Sequence, residues 1–538
     1  MLVESLGYLD TFIIGIFFVI TIGLGLIFSR KTDTTKKDYF LGSGDLGWIT
    51  IGCSLFATNI SSEHFLGLAS SGASKGLSVG SFEWMAIFVI LYMGWFLAPV
   101  FIRLKIYTVP EFLEIRYDRR SRNYLATISV FAYILTKISV MLYAGGFLLN
   151  KLLGWDLYTT ALIMVLLTGL YTVAGGLAAV VRTQIFHSIL IITSGLTITI
   201  IGLNEVGWLS GLQAKLPSEY FQLFRPASDP DLPWTGIIFG APILGFWYWC
   251  TDQYIVHRIL GAKSIKDVHK GSVLAAILKV FPLFILILPG LLAVAIFPNI
   301  PAEQVFPTFL SSNLIPAGFK GFIVAGIMAA LMSSLASVFN STATLITLDY
   351  YLPRNPDASD RKLVLVGRLT TLMVVFTAIL WVPLTKFIST DLYIYMQSVQ
   401  AYIAPPIVAV FIFGIYTKFA SATGAIWSLV IGGIIGFIRL LSEFLVQNQL
   451  TDSSLVFAIV GINYLHFAIV LFIVSICVLS VVSFVGNRSK EVSIDYKENF
   501  EPGWGSTLKI GQIKWGKGFF FTFIFFVAVA FYLQEMFR

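Results

Sequence analysis

The segment Gly52-Cys-Ser-Leu-Phe-Ala-Thr-Asn-Ile-Ser-Ser-Glu-His-Phe-Leu-Gly67 is apolar at both ends and polar in the middle, from Thr58 to His64. It lies within 47–73, long enough to cross a bilayer, since a transmembrane helix needs about 20 mostly apolar residues. An intact helix in lipid has no use for Asn59, Ser61, Ser62, Glu63 and His64. A helix broken at mid-depth does, because its free ends expose carbonyls and N–H groups that can hold ions and substrate. A loop between two shorter spans would leave about ten apolar residues on either side, too few to cross. The segment therefore reads as one discontinuous span.

The rest of the chain agrees with a membrane setting. Of 538 residues, 57% are hydrophobic and 12% charged, whereas a soluble domain carries about a quarter charged residues. Mean hydropathy is +0.84. A soluble fold has too little polar surface to cover that much apolar material. This excludes a cytosolic enzyme, a nucleic-acid-binding protein and a disordered chain. Cys53, Cys250 and Cys477 all sit in apolar stretches, so no disulfide framework or metal spacing is expected. The first apolar stretch has neither a basic leader nor a small-residue cleavage site and reads as a retained span.

Fourteen candidate spans follow: 7–29, 47–73, 82–102, 123–150, 157–176, 178–203, 235–257, 267–296, 318–349, 363–386, 390–416, 420–446, 463–486 and 517–536. They are called spans 1 to 14 below. Spans 5 and 6 are divided at Gly175-Gly176, because the apolar content there is too long for one crossing. The net charge of +7 is read as topological. Lys and Arg crowd the loops after spans 1, 3, 7, 9 and 13, while the loops after spans 8 and 12 have none. The odd-to-even loops are thus cytoplasmic and both termini lie outside. Two hydrophilic segments stand out, 204–234 outside and 487–516 inside.

Polar residues at membrane depth are expensive, so they mark function or pairing. Glu83, in Phe82-Glu83-Trp84, fits either an interfacial aromatic belt or a site. Span 7 carries Trp247-Tyr248-Trp249-Cys250-Thr251-Asp252-Gln253. Rings beside polar groups suit a sugar, whose C–H face stacks while its hydroxyls seek hydrogen bonds. Lys279 in span 8 is a lone cation about nine residues, at 1.5 Å each, from the nearest polar flank, so snorkelling is unattractive. Ser333, Ser334, Ser337, Asn340, Ser341, Thr344 and Thr347 form a stripe along span 9. The stripe fits small-residue helix packing, or oxygen ligands for a hard cation. Span 11 holds Gln397, Ser398 and Gln400, then Pro405-Pro406, which disturb the helix and free backbone groups. His187 and His466 read as packing residues, and His257 beside Arg258 as interfacial. No Walker-type loop, metal-ligand cluster or nucleophile elbow is present, which argues against an ATP-driven pump and common hydrolases.

The motifs Ala57-Thr-Asn-Ile-Ser-Ser-Glu-His64, Phe82-Glu-Trp84, Gly175-Gly-Leu-Ala-Ala-Val180, Trp247-Tyr-Trp-Cys-Thr-Asp-Gln253, Leu331-Met-Ser-Ser-Leu335, Phe339-Asn-Ser341 and Ala404-Pro-Pro406 together resemble the sodium/solute symporter family, and within it the sodium/glucose cotransporters. The resemblance implies an all-α, LeuT-like polytopic core of two inverted five-helix repeats. Residues 47–203 (spans 2–6) would form the first and 235–416 (spans 7–11) the second. Residues 1–46 would be an extra N-terminal span with its loop. Residues 417–538 would be three C-terminal spans with the cytoplasmic loop 487–516. By the same resemblance, sodium would be held by the carbonyls of Ala57, Ile60 and Ala330 and the hydroxyls of Ser333 and Ser334. A neutral sugar would meet Asn59, His64, Glu83, Lys279 and Gln397, with Tyr248 as an inner gate and Trp249 stacking nearby. Phe82 and Trp84 would shape the outer side. Glu83 and Lys279 would pair, leaving no bare charge in the membrane. Gln184 stands where many relatives carry Asp, and Ala336 where relatives with a second sodium site carry a hydroxyl, so one sodium per sugar is expected. Gly245 carries no polar side chain, and a hydrogen-bonding contact of some relatives is absent there.

The expected activity is sodium-driven uptake of a hexose such as glucose or galactose by alternating access. The partners are sugar, sodium ion and lipid bilayer, with no nucleic acid, no organic cofactor and no enzymatic turnover. The expected location is a bacterial inner membrane. Competing readings are a symporter of the same family for a carboxylate or amino acid, a membrane enzyme using His64, Glu83 and Asp252 as acid/base groups, and a sugar sensor or channel.

Overall fold

The computed structural model describes residues 7–29, 35–381, 392–486, 522–529, 532 and 536. The described residues are helical nearly throughout. Among them, ten helical runs are long and apolar enough to cross a membrane. Spans 5 and 6 form one run, Leu157–Val206, bent at Gly176. The outer half of span 2 continues into span 3 within Ser62–Leu104. Span 7 is divided into pieces too short to qualify. Much of span 14 and the loop 487–516 lie outside the described residues.

The outside is oily, and a set of polar and charged side chains is buried within a largely apolar interior. Phe376, Met373, Phe437 and Phe444 face outward, whereas Glu83, Lys279, Asp252, Ser333 and Ser334 are buried. Such a surface suits lipid, and the buried charges are tolerable only as partners.

Two spans are broken, both at polar residues. The helix Trp48–Asn59 stops at Ile60 (φ −82°, ψ 117°), and a second helix, Ser62–Lys75, begins after Ser61. Ser61 and His64 form a reciprocal cap on the new N-terminus. In span 7, the turn Trp247–Thr251 widens into a π-helical turn and ends at Asp252 (φ −81°, ψ 119°). Gln253–Leu260 starts there, capped by the Asp252 side chain. Span 8 also changes course: Ile265–Leu278 ends at Lys279, three residues before Pro282, whose missing N–H interrupts the ladder.

Other features position span 9, Phe319–Leu345. Asp10 of span 1 is buried and accepts from Gly318 N at 2.8 Å and Gly321 N at 2.7 Å. A carboxylate on the positive end of a helix is well placed. The disturbance expected at Pro405-Pro406 does not appear, because Leu392–Tyr416 runs through both prolines. Pro406 leaves the Tyr402 carbonyl without its helical donor. Gly436 of span 12 packs against that carbonyl, where an added Cβ would sit 2.0 Å from the oxygen. Packing between helices thus accommodates the prolines without a break.

Gly176 (φ 53°, ψ −146°) makes the bend between spans 5 and 6. A Cβ there would lie 2.5 Å from the Tyr39 carbonyl. Gly176→Ala is expected to cost at least about 1–2 kcal/mol for the left-handed backbone alone, with the clash added. Thermal unfolding of the detergent-purified protein measures this, and an unchanged midpoint would show that the bend tolerates a side chain.

Candidate functional site

The break in span 2 leaves the last carbonyls of Trp48–Asn59 without helical donors. They carry the negative end of the helix dipole into the protein interior. Span 9 packs its serines there. Ser333 Oγ lies 2.6 Å from the Ala57 carbonyl and 2.9 Å from the Ala330 carbonyl. Ser334 Oγ lies 3.0 Å from the Thr58 carbonyl and 3.4 Å from that of Ile60. The five groups expected to take sodium therefore fall in one buried cluster of neutral oxygens. Hydroxyls and free carbonyls are the ligand chemistry of a hard cation. Tyr254 OH donates to the Thr58 carbonyl at 2.5 Å and steadies the cluster from span 7.

Beyond the break, one cavity is lined by Asn59, His64, Glu83, Tyr248, Trp249, Lys279 and Gln397. These are all seven side chains that sequence reasoning assigned to substrate. Lys279 Nζ donates to Glu83 Oε2 and to Asn59 Oδ1. Asn59 Nδ2 donates in turn to Tyr248 OH at 3.1 Å. The chain Glu83–Lys279–Asn59–Tyr248 thus joins spans 3, 8, 2 and 7. Glu83 lies in the first turn of Gly80–Tyr92, where a carboxylate is favoured. Lys279 sits 5.6 Å from the centre of the Trp249 ring. His64 Nδ1 accepts from the Ser61 backbone N–H at 3.4 Å.

Phe82 lines the cavity and stacks on Tyr464, ring centres 6.5 Å apart, but Trp84 is not among the lining residues. Two positions along a helix turn a side chain by about 200°, so Phe82 and Trp84 cannot share a face. His257 was expected at the interface and Arg258 in the basic loop after span 7, and both are instead fully buried. The reason is that their short helix folds back under the break: His257 Nε2 meets the Phe40 carbonyl at 2.6 Å, and Arg258 reaches spans 2 and 9. His187 and His466 are packing residues with single hydroxyl partners, Thr21 at 3.2 Å and Thr235 at 2.8 Å.

Sequence reasoning missed Glu63, Lys137 and Tyr254 as cavity-lining residues. Lys137 Nζ binds Asp252 Oδ2 at 2.6 Å, and Tyr133 OH donates to the other oxygen. This pair explains Asp252, which serves the break in span 7 and is not available as an acid/base group. Lys137 was legible by the rule that found Lys279, a lone cation deep within a span. Glu63 stood in the motif itself, and one of its carboxylate oxygens, Oε2, is buried without a hydrogen bond.

Comparison with known proteins bears on the family and the fold. The chain is 37% identical to sodium/myo-inositol cotransporter 2 of Oryctolagus cuniculus, over 89% of this chain and 76% of that protein. It is 36% identical to sodium/glucose cotransporter 1 of the same organism, over 88% of this chain and 78% of that protein. Among solved structures, the substrate-bound outward-open state of a Na+-coupled sialic acid symporter superimposes with a TM-score of 0.75. That likeness covers 89% of this chain and 98% of that one at 20% identity, and so speaks to the fold. The sodium:solute symporter family model matches residues 39–432. The chain belongs to the sodium:solute symporter family.

Proposed function

We propose that this protein couples inward sodium movement to uptake of a neutral hexose, one sodium per sugar, by alternating access. The observation that carries the reading is the Glu83–Lys279–Asn59–Tyr248 chain, which borders a cavity beside an oxygen cluster fit for sodium. Glu83 and Lys279 offer an acceptor and donors to hydroxyls while neutralising each other. The lining sets Lys279 and Lys137 against Glu83 and Glu63, a balance of formal charge that suits a neutral substrate. Tyr248 and Trp249 supply ring faces for stacking. A cyclitol is the second reading, favoured by the likeness to a sodium/myo-inositol cotransporter.

The reading assigns substrate to Asn59, His64, Glu83, Tyr248, Trp249, Lys279 and Gln397. It assigns sodium to Ala57, Ile60, Ala330, Ser333 and Ser334. It treats residues 47–203 and 235–416 as inverted halves of a fourteen-span protein, with 1–46 and 417–538 as additions. The near-identical dihedrals at Ile60 and Asp252 favour this symmetry. The reading assigns the protein to a bacterial inner membrane, with both termini outside because Lys and Arg crowd the odd-to-even loops. Sodium bridges spans 2 and 9 and stabilises the outward-open arrangement, sugar then binds, and separation of the two spans releases both. A ligand shifts such an equilibrium only by its differential affinity for the two states. The ion contributes its gradient plus about 2.3 kcal/mol per charge per 100 mV.

The test is uptake of radiolabelled glucose, galactose and myo-inositol into proteoliposomes with and without a sodium gradient. Sodium-dependent accumulation of one of them is expected, and its absence for all three would sink the proposal. Ser334→Ala is expected to raise the sodium concentration for half-maximal uptake about tenfold, or about 1.4 kcal/mol of binding. An unchanged sodium dependence would remove Ser334 from the cluster's role. Lys279→Met removes the buried cation that faces the Glu83 carboxylate, an expected loss of about 3–5 kcal/mol in stability. Adding Glu83→Gln should recover most of the thermal stability but not the uptake. Uptake retained by the double variant would show that the pair is structural only.

A further inference from the structure

Gln253 closes the span 7 motif, and the transport reading gives it no task. It is buried as the first residue of the short helix Gln253–Leu260. Its amide reaches the loop after span 3, on the side that the basic loops mark as cytoplasmic. Oε1 accepts from Val109 N at 2.8 Å, and Nε2 donates to the Tyr107 carbonyl at 3.3 Å.

Val109 opens the helix Val109–Arg116, so its N–H is one of the donors that a helix start leaves without a partner. The N-cap residue, Thr108, makes no capping bond with its side chain. Its hydroxyl instead donates to Asp349 Oδ1, at the inner end of span 9, at 2.8 Å. Arg122 Nε holds the same oxygen at 2.6 Å, and its Nη2 holds the Leu348 carbonyl at 2.9 Å. The far end of the helix is fixed to span 11, where Arg116 donates to the carbonyls of Gly414 at 2.7 Å and Thr417 at 3.0 Å. Residues 107–122 are thus fastened to spans 9 and 11, and Gln253 fastens the short helix of span 7 to them.

The next residue along, Tyr254, donates to the Thr58 carbonyl of span 2 at 2.5 Å. One hydrogen-bonded line therefore runs from span 2 through span 7 and the loop to span 9. On the transport reading, spans 2 and 9 part to release sodium and sugar, and this line crosses the gap between them. Two neutral hydrogen bonds are enough to bias such an equilibrium and few enough to break in every cycle. We propose that Gln253 is a positioning residue for inward opening: its amide latches the short helix of span 7 to residues 107–109, and this two-point bond breaks before spans 2 and 9 separate. The proposal rests on the alternating-access reading above and adds the residue that restrains its inward step.

The experiment measures the distance between spin labels at Lys263→Cys and Asp357→Cys, both exposed, just beyond span 7 and span 9. It uses the full-length protein with Cys53, Cys250 and Cys477 changed to alanine, without sodium or sugar. Gln253→Met keeps the volume and removes both bonds. It should move the ratio of long- to short-distance populations about tenfold toward the long one, as expected from losing two neutral hydrogen bonds. Val109→Pro removes the N–H from the other side, at the first helical position where proline is tolerated. It should shift the ratio in the same direction by less, and the double variant should do no more than Gln253→Met, because both cut one bond. Uptake of whichever of glucose, galactose and myo-inositol the protein transports gives the second readout. The sodium concentration for half-maximal uptake should rise by up to about tenfold, because fewer molecules face outward, while the maximal rate is kept. A merely structural glutamine would lower the maximal rate and leave the half-saturation and the distances unchanged, and that result overturns the proposal. If Gln253→Met does not fold, Val109→Pro decides by the same two readouts. Uptake that needs no sodium, with the distance shift present, would instead overturn the sodium-coupled reading.

Discussion

The contact between the broken end of span 2 and the serines of span 9 is the constraint on which the rest of the interior depends. Each backbone group left unpaired in a membrane interior costs several kcal/mol. The break at Ile60 is compensated by Ser333 and Ser334, which stand within reach of the Ala57, Thr58 and Ile60 carbonyls, and by Tyr254 OH on the Thr58 carbonyl. Serine hydroxyls satisfy these carbonyls and remain able to turn toward a cation. An alanine-lined span 9 would leave the carbonyls bare, and a carboxylate would bring a charge needing its own partner. Neutral oxygens on two separate helices give a cation-sensitive joint between them.

Charge is handled pairwise around that joint. Glu83 with Lys279 and Asp252 with Lys137 each bring an anion from one span to a cation on another. Such pairs add little net stability, because desolvation offsets the attraction. Their consequence is positional: each fixes the relative placement of two helices and presents donors and acceptors to the cavity. Arg258 departs from this pattern, being compensated by hydroxyls, a carbonyl and its place in the last turn of a helix.

Much of this was legible in the linear chain. The polar middle of 47–73 announced a broken helix because lipid offers nothing to polar groups there. Lys279 was identifiable by its depth alone. The substrate-lining set came from motif resemblance, and all seven members border one cavity. What was not legible has specific causes. Pro405 and Pro406 looked like a disruption, but a close-packed glycine on another span accommodates the freed carbonyl. Trp84 was grouped with Phe82 by the motif resemblance, although side chains two residues apart on a helix point apart. Arg258 was counted with the basic loop after span 7, since nothing local marks a helix folding back into the interior.

The sequence by itself determined that the chain is a helical membrane protein, which residues are too polar to face lipid, and that span 2 breaks. Those conclusions follow from the solvent, because hydrocarbon penalises every unpaired polar group wherever it falls in the chain. Only the tertiary structure decided the partners: that Lys137 belongs to Asp252, that Gln184 bridges spans 2 and 9, and that Arg258 donates to the hydroxyls of Ser54 and Ser337. Partner choice depends on groups distant in sequence meeting within about 3 Å. Helix packing sets those distances, and no local pattern encodes them.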